Sequence, residues 1–261
     1  MDKLAQALRG ASAAPRALPQ RASTLLVVGG GGVLGAALLA RALGCGRFER
    51  VQALVARDVA SALRSFEPLP QASLGRPLRA DSAVVVFERA RRNNGRDDAF
   101  VQPQPAQLSE FAAPLRAGGV RRLLVLVPHA PALLPQALKC GLASLDEAQV
   151  AALGFEQLLF VRAAQAAPGV RAAGLARRAA AAWLDQLAWM VPQREQPLRA
   201  QRLAELAVEL LWRLPLAAPA TRVLAPDLLW QAAHAADRGA WLDAWLAGAP
   251  LPQVSAPPRR W

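Results

Sequence analysis

The chain has 261 residues, of which 54% are hydrophobic and 19% are charged, and its formal net charge is +12. This composition is typical of a folded globular protein and excludes general disorder, because enough apolar surface is present to form a core. The two cysteines, Cys45 and Cys140, exclude a disulfide-rich scaffold and a multi-cysteine zinc site. The sequence contains no tyrosine, which excludes any mechanism that depends on a catalytic tyrosine.

The positive charge comes almost entirely from arginine. The chain has 31 Lys+Arg against 19 Asp+Glu, and its only lysines are Lys3 and Lys139. The arginines are scattered among Ala and Leu, whereas a nucleic-acid-binding groove concentrates its charge and interleaves aromatic side chains. We therefore expect no nucleic-acid partner.

The N-terminal residues 1–23 contain one acid, Asp2, and no sustained apolar period, which predicts a flexible extension. The next stretch, Ser23–Ala40, carries no charge and is long enough to suggest a transmembrane helix. Its consecutive glycines oppose a helix, because each costs about 1 kcal/mol in a helix interior. A strand, a glycine turn and a helix explain the stretch better. We expect no membrane span and, without a secretory signal, a cytoplasmic location.

Apolar strands then alternate with helices along the chain. Each predicted strand is apolar throughout, which is typical of a parallel sheet covered by helices on both faces. The pattern predicts an α/β doubly wound unit that extends to about Arg162. The predicted strands are Thr24–Val28, Val51–Val55, Ala83–Phe87, Leu123–Val127 and Gln157–Val161, and the predicted helices are Val33–Leu43, Leu108–Ala117 and Leu145–Leu153.

The C-terminal part has a different character from about residue 165. Val170–Met190 is Ala-rich, and Leu198–Leu214 carries leucines at helical spacing, so both are predicted helices. Together they predict a small helical C-terminal cap that covers the open end of the sheet. We place the folded domain at 24–235 and a C-terminal tail at 236–261.

The aromatic residues change type at the same point. All seven phenylalanines lie between Phe48 and Phe160, and all seven tryptophans lie between Trp183 and Trp261. Ordinary core packing explains such tryptophans. The alternatives are a pocket, or a surface for a protein partner or a second copy of this chain.

A glycine turn, Gly29–Gly35, follows the first strand and opens the first helix. Gly30, Gly32 and Gly35 fit the spacing G-x-G-x-x-G, and Gly29, Gly32 and Gly35 fit G-x-x-G-x-x-G. In this context glycines permit the tight turn, the close approach of a pyrophosphate and the packing of helix on strand. The free N–H groups of the helix N-terminus then favour a phosphate. The pattern predicts dinucleotide binding, and a glycine-rich structural turn is the alternative.

Arg57 and Asp58 follow the second strand, where such folds read the adenosine ribose. An acid there favours NAD, and an arginine can pair with the additional phosphate of NADP. Because Arg57 comes first, we expect NADP(H) rather than NAD(H). The alternative is that Arg57 is a solvated loop residue and Asp58 caps the next helix.

Four stretches carry a family resemblance that spans about Thr24–Ala235. They read VVGGGGVLGAALLARAL from Val27, VQALVARD from Val51, RNNGRDDAFVQ from Arg92 with AGGVRRLLVLV from Ala117, and ALGFEQLLFVR from Ala152. The tract QRLAELAVELL from Gln201, followed by TRVLAPDLL from Thr221, also looks like the C-terminal helix and short strand of that family. In these stretches the chain resembles the atypical short-chain dehydrogenases/reductases, especially the NAD(P)H-binding members similar to NAD-dependent epimerases/dehydratases and to the Tat-interacting protein. The resemblance implies a Rossmann-like fold and oxidoreductase-like cofactor binding.

The catalytic residues that the resemblance implies are missing. Active members have a serine after the strand equivalent to Leu123–Val127 and a Tyr-x-x-x-Lys motif on the next long helix. Here Pro128 and His129 follow that strand, and the expected Tyr and Lys fall near Lys139 and Ala143. Tyrosine-dependent proton transfer is therefore excluded, and we assign no catalytic residue.

Other side chains could replace the lost proton donor. His129 is predicted at the carboxyl end of a strand, and histidine can act as an acid or base near neutral pH. Lys139 could assist it if desolvated. Both residues are also explained as a loop histidine and a solvated lysine. His234 has no partner that suggests a metal site, so we predict no metal.

The turn after the third predicted strand also departs from the family. It reads Phe87-Glu88-Arg89-Ala90, where the family has a glycine-bearing turn close to the cofactor. Glu88 adds bulk and negative charge near the position of the phosphates or ribose. A surface ion pair between Glu88 and the neighbouring arginines is the alternative explanation.

Three functions follow from these observations. The first is an NAD(P)(H)-binding pseudoenzyme with a regulatory or interaction role. The second is an NADPH-dependent oxidoreductase or epimerase-like enzyme with a non-standard proton donor, and the third is a cofactor-free pseudo-Rossmann scaffold. The candidate cofactor-binding residues are Gly29, Gly32, Val33, Leu34, Gly35, Arg57 and Phe87.

Overall fold

The computed structural model describes residues 22–88, 97–129, 142, 144–164 and 198–253. The described strands form one seven-stranded sheet in the order β3-β2-β1-β4-β5-β6-β7, and every neighbouring pair is parallel. The strands are β1 (Ala22–Val28), β2 (Phe48–Val55), β3 (Phe66–Pro70), β4 (Ser82–Val86), β5 (Arg122–His129), β6 (Gln157–Ala164) and β7 (Ala220–Leu224). This order is that of a doubly wound Rossmann-like sheet extended by one strand, so the predicted fold class is confirmed.

Helices cover both faces of the sheet. A hydrophobic core lies on each face of the sheet, and alternate residues of a strand point to opposite faces. In β1, Leu25 and Val27 pack on one face, and Leu26 and Val28 pack on the other. The first face carries α1, α4, α5 and α6, and the second carries α2 and α3. The described helices are α1 (Gly32–Gly44), α2 (Leu108–Ala117), α3 (Leu145–Ala152), α4 (Ala200–Arg213), α5 (Pro226–His234) and α6 (Arg238–Ala247).

Strand β3 is the one described strand that the sequence interpretation missed. It reads Phe66-Glu67-Pro68-Leu69-Pro70, and its prolines hide the strand signal because proline cannot donate a backbone hydrogen bond. The strand lies at the edge of the sheet and pairs only with β2, with Ala53 opposite Pro68 and Val55 opposite Pro70. An edge position tolerates the missing donors.

The C-terminal boundary also differs from the prediction. Helix α6 lies inside the segment 236–261 that the sequence interpretation treats as a tail. Asp237 caps this helix by accepting a hydrogen bond of 2.9 Å from the N–H of Ala240. Trp241 is fully buried, and Trp230 is 8% exposed, so these two tryptophans contribute to the core. The predicted helix Val170–Met190 and residues 1–21 lie outside the described part of the chain.

A buried ion pair joins α3 to β6. The guanidinium of Arg162 lies 2.9 Å from the carboxylate of Glu147, and the two side chains are 3% and 6% exposed. A second acid of the same region, Glu156, lies 3.6 Å from Arg121, but both of those side chains are largely exposed. The two pairs therefore differ in burial and in separation.

We expect Glu147→Gln to lower the free energy of unfolding by about 3 kcal/mol or more, because it breaks a buried ion pair by removing one of its two charges. The matched variant Glu156→Gln is expected to cost less than about 1 kcal/mol, because water screens that pair. Urea unfolding of both variants measures the difference. Equal losses would show that burial does not govern the Glu147–Arg162 pair.

None of the helices in the described ranges combines the length and the apolar character that a membrane crossing requires.

Candidate functional site

The candidate site lies at the carboxyl ends of β1 and β4. The chain continues from β1 through α1 to β2 on one side, whereas β4 pairs with β1 on the other side. The strand order therefore reverses between β1 and β4. Such a switch point leaves a crevice at the carboxyl edge of a parallel sheet, which is where ligands bind in doubly wound folds.

The glycine turn is packed too closely for side chains. Gly29 and Gly32 have φ angles of +90° and +75°, a region that favours glycine. A Cβ on Gly29 would collide with the carbonyl oxygen of Val86. A Cβ on Gly35 would collide with the carbonyl oxygen of Gly29 and lie 2.8 Å from the carbonyl carbon of Gly30. The turn thus seats the first residues of α1 directly above the end of β1.

The N-terminus of α1 holds the carboxylate of Glu88. The N–H of Val33 donates to Oε1 at 3.1 Å, and the N–H of Leu34 donates to Oε2 at 2.8 Å. The N–H of Gly35 donates to Oε2 at 3.4 Å. The first turn of α1 has no acidic residue of its own, and its N-cap, Gly31, makes no side-chain cap bond. Glu88 therefore supplies the negative charge that a helix N-terminus favours.

A second segment, Asp97–Gln102, lies along the end of β2. Phe100 forms an antiparallel bridge with Val55. The carbonyl of Ala99 accepts from the N–H of Ala56 at 2.8 Å, and the N–H of Val101 donates to Leu54 at 3.1 Å. This segment therefore occupies the side of the crevice where doubly wound folds read an adenosine ribose.

The same segment also contacts the glycine turn. A Cβ on Gly30 would lie 3.0 Å from the ring of Phe100, and a Cβ on Gly31 would collide with the side-chain amide of Gln102 and lie 2.9 Å from the carbonyl oxygen of Asp97. The sequence interpretation missed this contact. The one signal for it is the apolar pair Phe100-Val101 within an otherwise polar stretch.

The structure brings most of the predicted cofactor residues together. Gly29, Gly32, Val33, Leu34 and Gly35 all surround the end of β1, and the last three donate their N–H groups to one carboxylate. The sequence predicted that Glu88 brings a negative charge near the phosphate position, and in the structure the carboxylate of Glu88 contacts the N-terminus of α1.

The remaining two predicted cofactor residues lie apart from this cluster. The side chain of Phe87 is 3% exposed and packs in the core on the α2 face. Arg57 is exposed, and its N–H donates to the carbonyl of Ala99 at 3.4 Å. Asp58 is exposed and caps no helix, because β3 is the next regular element.

Of the other candidate residues, the structure describes the backbone of His129 and the whole of His234. His129 is the last residue of β5 and pairs with Ala164, whereas Lys139 and Cys140 lie outside the described residues. The ring of His234 stacks on Trp230 at 4.1 Å, and its Nδ1 lies 2.8 Å from the carbonyl oxygen of Trp230. Within the described ranges, no three His, Cys, Asp or Glu residues are grouped for a metal ion.

The N–H groups at the start of α1 could bind a phosphate, but the carboxylate of Glu88 occupies them. The oxygens of Glu88 stand in for the phosphate oxygens that the N–H groups of a helix N-terminus bind. A Cβ on Gly32 would lie 2.5 Å from Oε2 of Glu88, so the open face of that glycine is filled by the carboxylate. A dinucleotide can use these donors only after Glu88 leaves them.

No protein-family model and no curated protein matches the chain. Solved structures to which the chain shows similarity include UDP-N-acetylglucosamine 4-epimerase from Bacillus cereus, at 11% identity and a TM-score of 0.42 over 90% of this chain and 88% of that one. A short-chain dehydrogenase from Leptospira borgpetersenii with bound NAD+ is 11% identical, with a TM-score of 0.41 over 80% and 93%. The enzyme WbmH from Bordetella bronchiseptica in complex with NAD+ is 12% identical, with a TM-score of 0.37 over 77% and 86%. We base the Rossmann-like fold on this chain's own strand order and parallel pairing.

We expect Gly35→Ala to lower the free energy of unfolding by at least about 2 kcal/mol, because the new methyl group meets backbone atoms that cannot move aside. Gly44 ends the same helix, and a Cβ there meets nothing within 4 Å. Gly44→Ala is therefore expected to leave stability unchanged or to raise it by up to about 1 kcal/mol. Thermal unfolding of the two variants tests this. A tolerated Gly35→Ala would contradict the close approach of α1 to the glycine turn.

Proposed function

We propose that this chain is an NAD(P)(H)-binding pseudoenzyme that resembles atypical short-chain dehydrogenases and has a regulatory or interaction role. The observation that supports the proposal most directly is the bonding of one carboxylate to three N–H groups of α1. Phosphate oxygens need the same donors, and the positive end of the helix dipole favours either anion. The site is thus built to hold negative charge.

The chain's own residues would divide the work of binding. Gly29 would permit the tight turn against β4, Gly32 would keep the backbone open to a pyrophosphate, and the N–H groups of Val33, Leu34 and Gly35 would donate to it. The exposed guanidinium of Arg57 would pair with a 2′-phosphate, which favours NADP(H) over NAD(H). Such a cofactor carries hydride chemistry when bound. No tyrosine is available for the accompanying proton, so the proposed role is binding.

The segment Asp97–Gln102 favours a second candidate, a cofactor-free scaffold. Its backbone bonds to Leu54 and Ala56 hold it against the end of β2, on the adenosine side of the crevice. If this contact is permanent, the fold serves only to present a surface to a protein partner or a second copy. The cytoplasmic location expected from the sequence stays a prediction under both candidates.

Thermal unfolding with NADPH, with NADH and without ligand tests the proposed function. NADPH at 100 times its dissociation constant is expected to add about 2.7 kcal/mol to the free energy of unfolding, because it binds only the folded state. A smaller shift with NADH is expected. If neither dinucleotide shifts the unfolding temperature at millimolar concentration, the proposal is wrong and the cofactor-free scaffold is favoured.

Arg57→Ala is expected to remove the preference for NADPH and to leave the affinity for NADH within about twofold, because the 2′-phosphate loses its charge-assisted partner. Arg64→Ala is the matched control, since Arg64 is an exposed arginine of the same connection between β2 and β3. Isothermal titration calorimetry of both variants measures the effect. An equal loss in the two variants would indicate a general charge effect and not a site at Arg57.

A further inference from the structure

We propose that Glu88 is an internal competitor for the phosphate site, so that the chain sets its own affinity for a dinucleotide. The inference rests on the proposed function, which it extends to the regulation of the same site. Its basis is that Glu88 and a pyrophosphate would use the same N–H donors and cannot use them together.

The contact engages both carboxylate oxygens. Oε1 accepts from Val33, and Oε2 accepts from Leu34 and Gly35, at distances between 2.8 and 3.4 Å. Hydrogen bonds to an ionised acceptor are stronger than neutral ones, and the helix N-terminus adds a favourable field. The described part of α1 offers no acid of its own in this turn. Glu88 is thus held by the same physical features that would hold a phosphate.

Exclusion follows from charge and from space. A pyrophosphate brought to these N–H groups would meet a carboxylate of the same sign at contact distance, which is unfavourable at any dielectric constant. The carboxylate also lies over Gly32, 2.5 Å from the position that a Cβ would take. In a phosphate-binding turn this open face of glycine admits the ligand. Here the face is covered by an atom of the chain itself.

The competitor is tethered but can move. Phe87, the residue before Glu88, is buried in the core, and its N–H donates to the carbonyl of Leu126 at 3.2 Å. The side chain of Glu88 is only half-buried and reaches α1 through rotatable bonds. Release therefore needs rotation of one side chain and no loss of strand β4. A tethered competitor acts at a high effective concentration, so it lowers the affinity for a ligand from solution.

The size of the effect depends on how often the carboxylate leaves α1. The apparent affinity equals the affinity of the open site multiplied by the fraction of molecules in which the site is open. A site that is closed about 90% of the time therefore binds about tenfold more weakly. Removing the carboxylate is expected to raise the affinity for a phosphate ligand by the same factor. We therefore expect Glu88→Ala to bind a phosphate ligand at least about tenfold more tightly than the unaltered chain.

The experiment uses two probes, inorganic pyrophosphate and NADPH, titrated by calorimetry into the full chain and three variants. Glu88→Ala removes the carboxylate, and Glu88→Gln keeps its shape without its charge. Glu49→Ala is the control. Glu49 is an exposed acid near the start of β2, at the amino ends of the strands and away from the site, and its substitution by Ala changes the net charge equally. Far-ultraviolet circular dichroism checks that each variant is folded.

The proposal is supported if both Glu88 variants gain affinity for pyrophosphate and Glu49→Ala does not. A gain for pyrophosphate without any binding of NADPH supports the competitor but overturns the proposed function, since the adenosine side then stays closed by Asp97–Gln102. Binding of NADPH that is equal in all four proteins overturns the competitor and leaves the proposed function. No binding of either probe by any folded variant overturns both, because the freed N–H groups should then accept an anion.

Discussion

The close approach of α1 to the glycine turn is the constraint on which the candidate site depends. Gly35 lies against the carbonyl of Gly29, and no side chain fits between them. This contact fixes the first N–H groups of the helix at the switch point between β1 and β4. A helix that began further away would leave those donors to water. The chemistry of the site is thus set by backbone packing before any functional side chain is considered.

Once these donors are fixed, they must be satisfied. Unpaired N–H groups at a partly buried helix end are costly, and α1 has neither a capping side chain nor an acid in its first turn. Glu88, two residues after the end of β4, accepts from three of them. A local cap would have stabilised the helix equally well, but it would not have linked α1 to β4 across the crevice. The contact therefore joins the two halves of the sheet where a ligand would otherwise join them.

Much of this arrangement was predictable, and the limits have physical causes. Apolar strands and the glycine turn predicted the parallel sheet and the position of α1, because both signals are local in sequence. The edge strand β3 was hidden by Pro68 and Pro70, and α6 was taken for a tail. The contact of Asp97–Gln102 with β2 was missed, because it joins residues more than 40 positions apart through backbone bonds and its one local signal is the short apolar pair Phe100-Val101. Glu88 was placed near the phosphate position, but its bonds to α1 depend on the three-dimensional turn.

The missing tyrosine and the position of Glu88 have a common consequence. In a nucleotide-dependent enzyme the empty crevice leaves helix donors unsatisfied, so the ligand contributes to the stability of the fold as well as to the chemistry. Here Glu88 accepts from three of these donors without a ligand. A dinucleotide would have to displace the carboxylate of Glu88 from α1, so the loss of that contact offsets part of the binding free energy, and the displacement changes the surface around β4. Since the chain also has no tyrosine, this displacement is the physical basis on which we propose a role in binding.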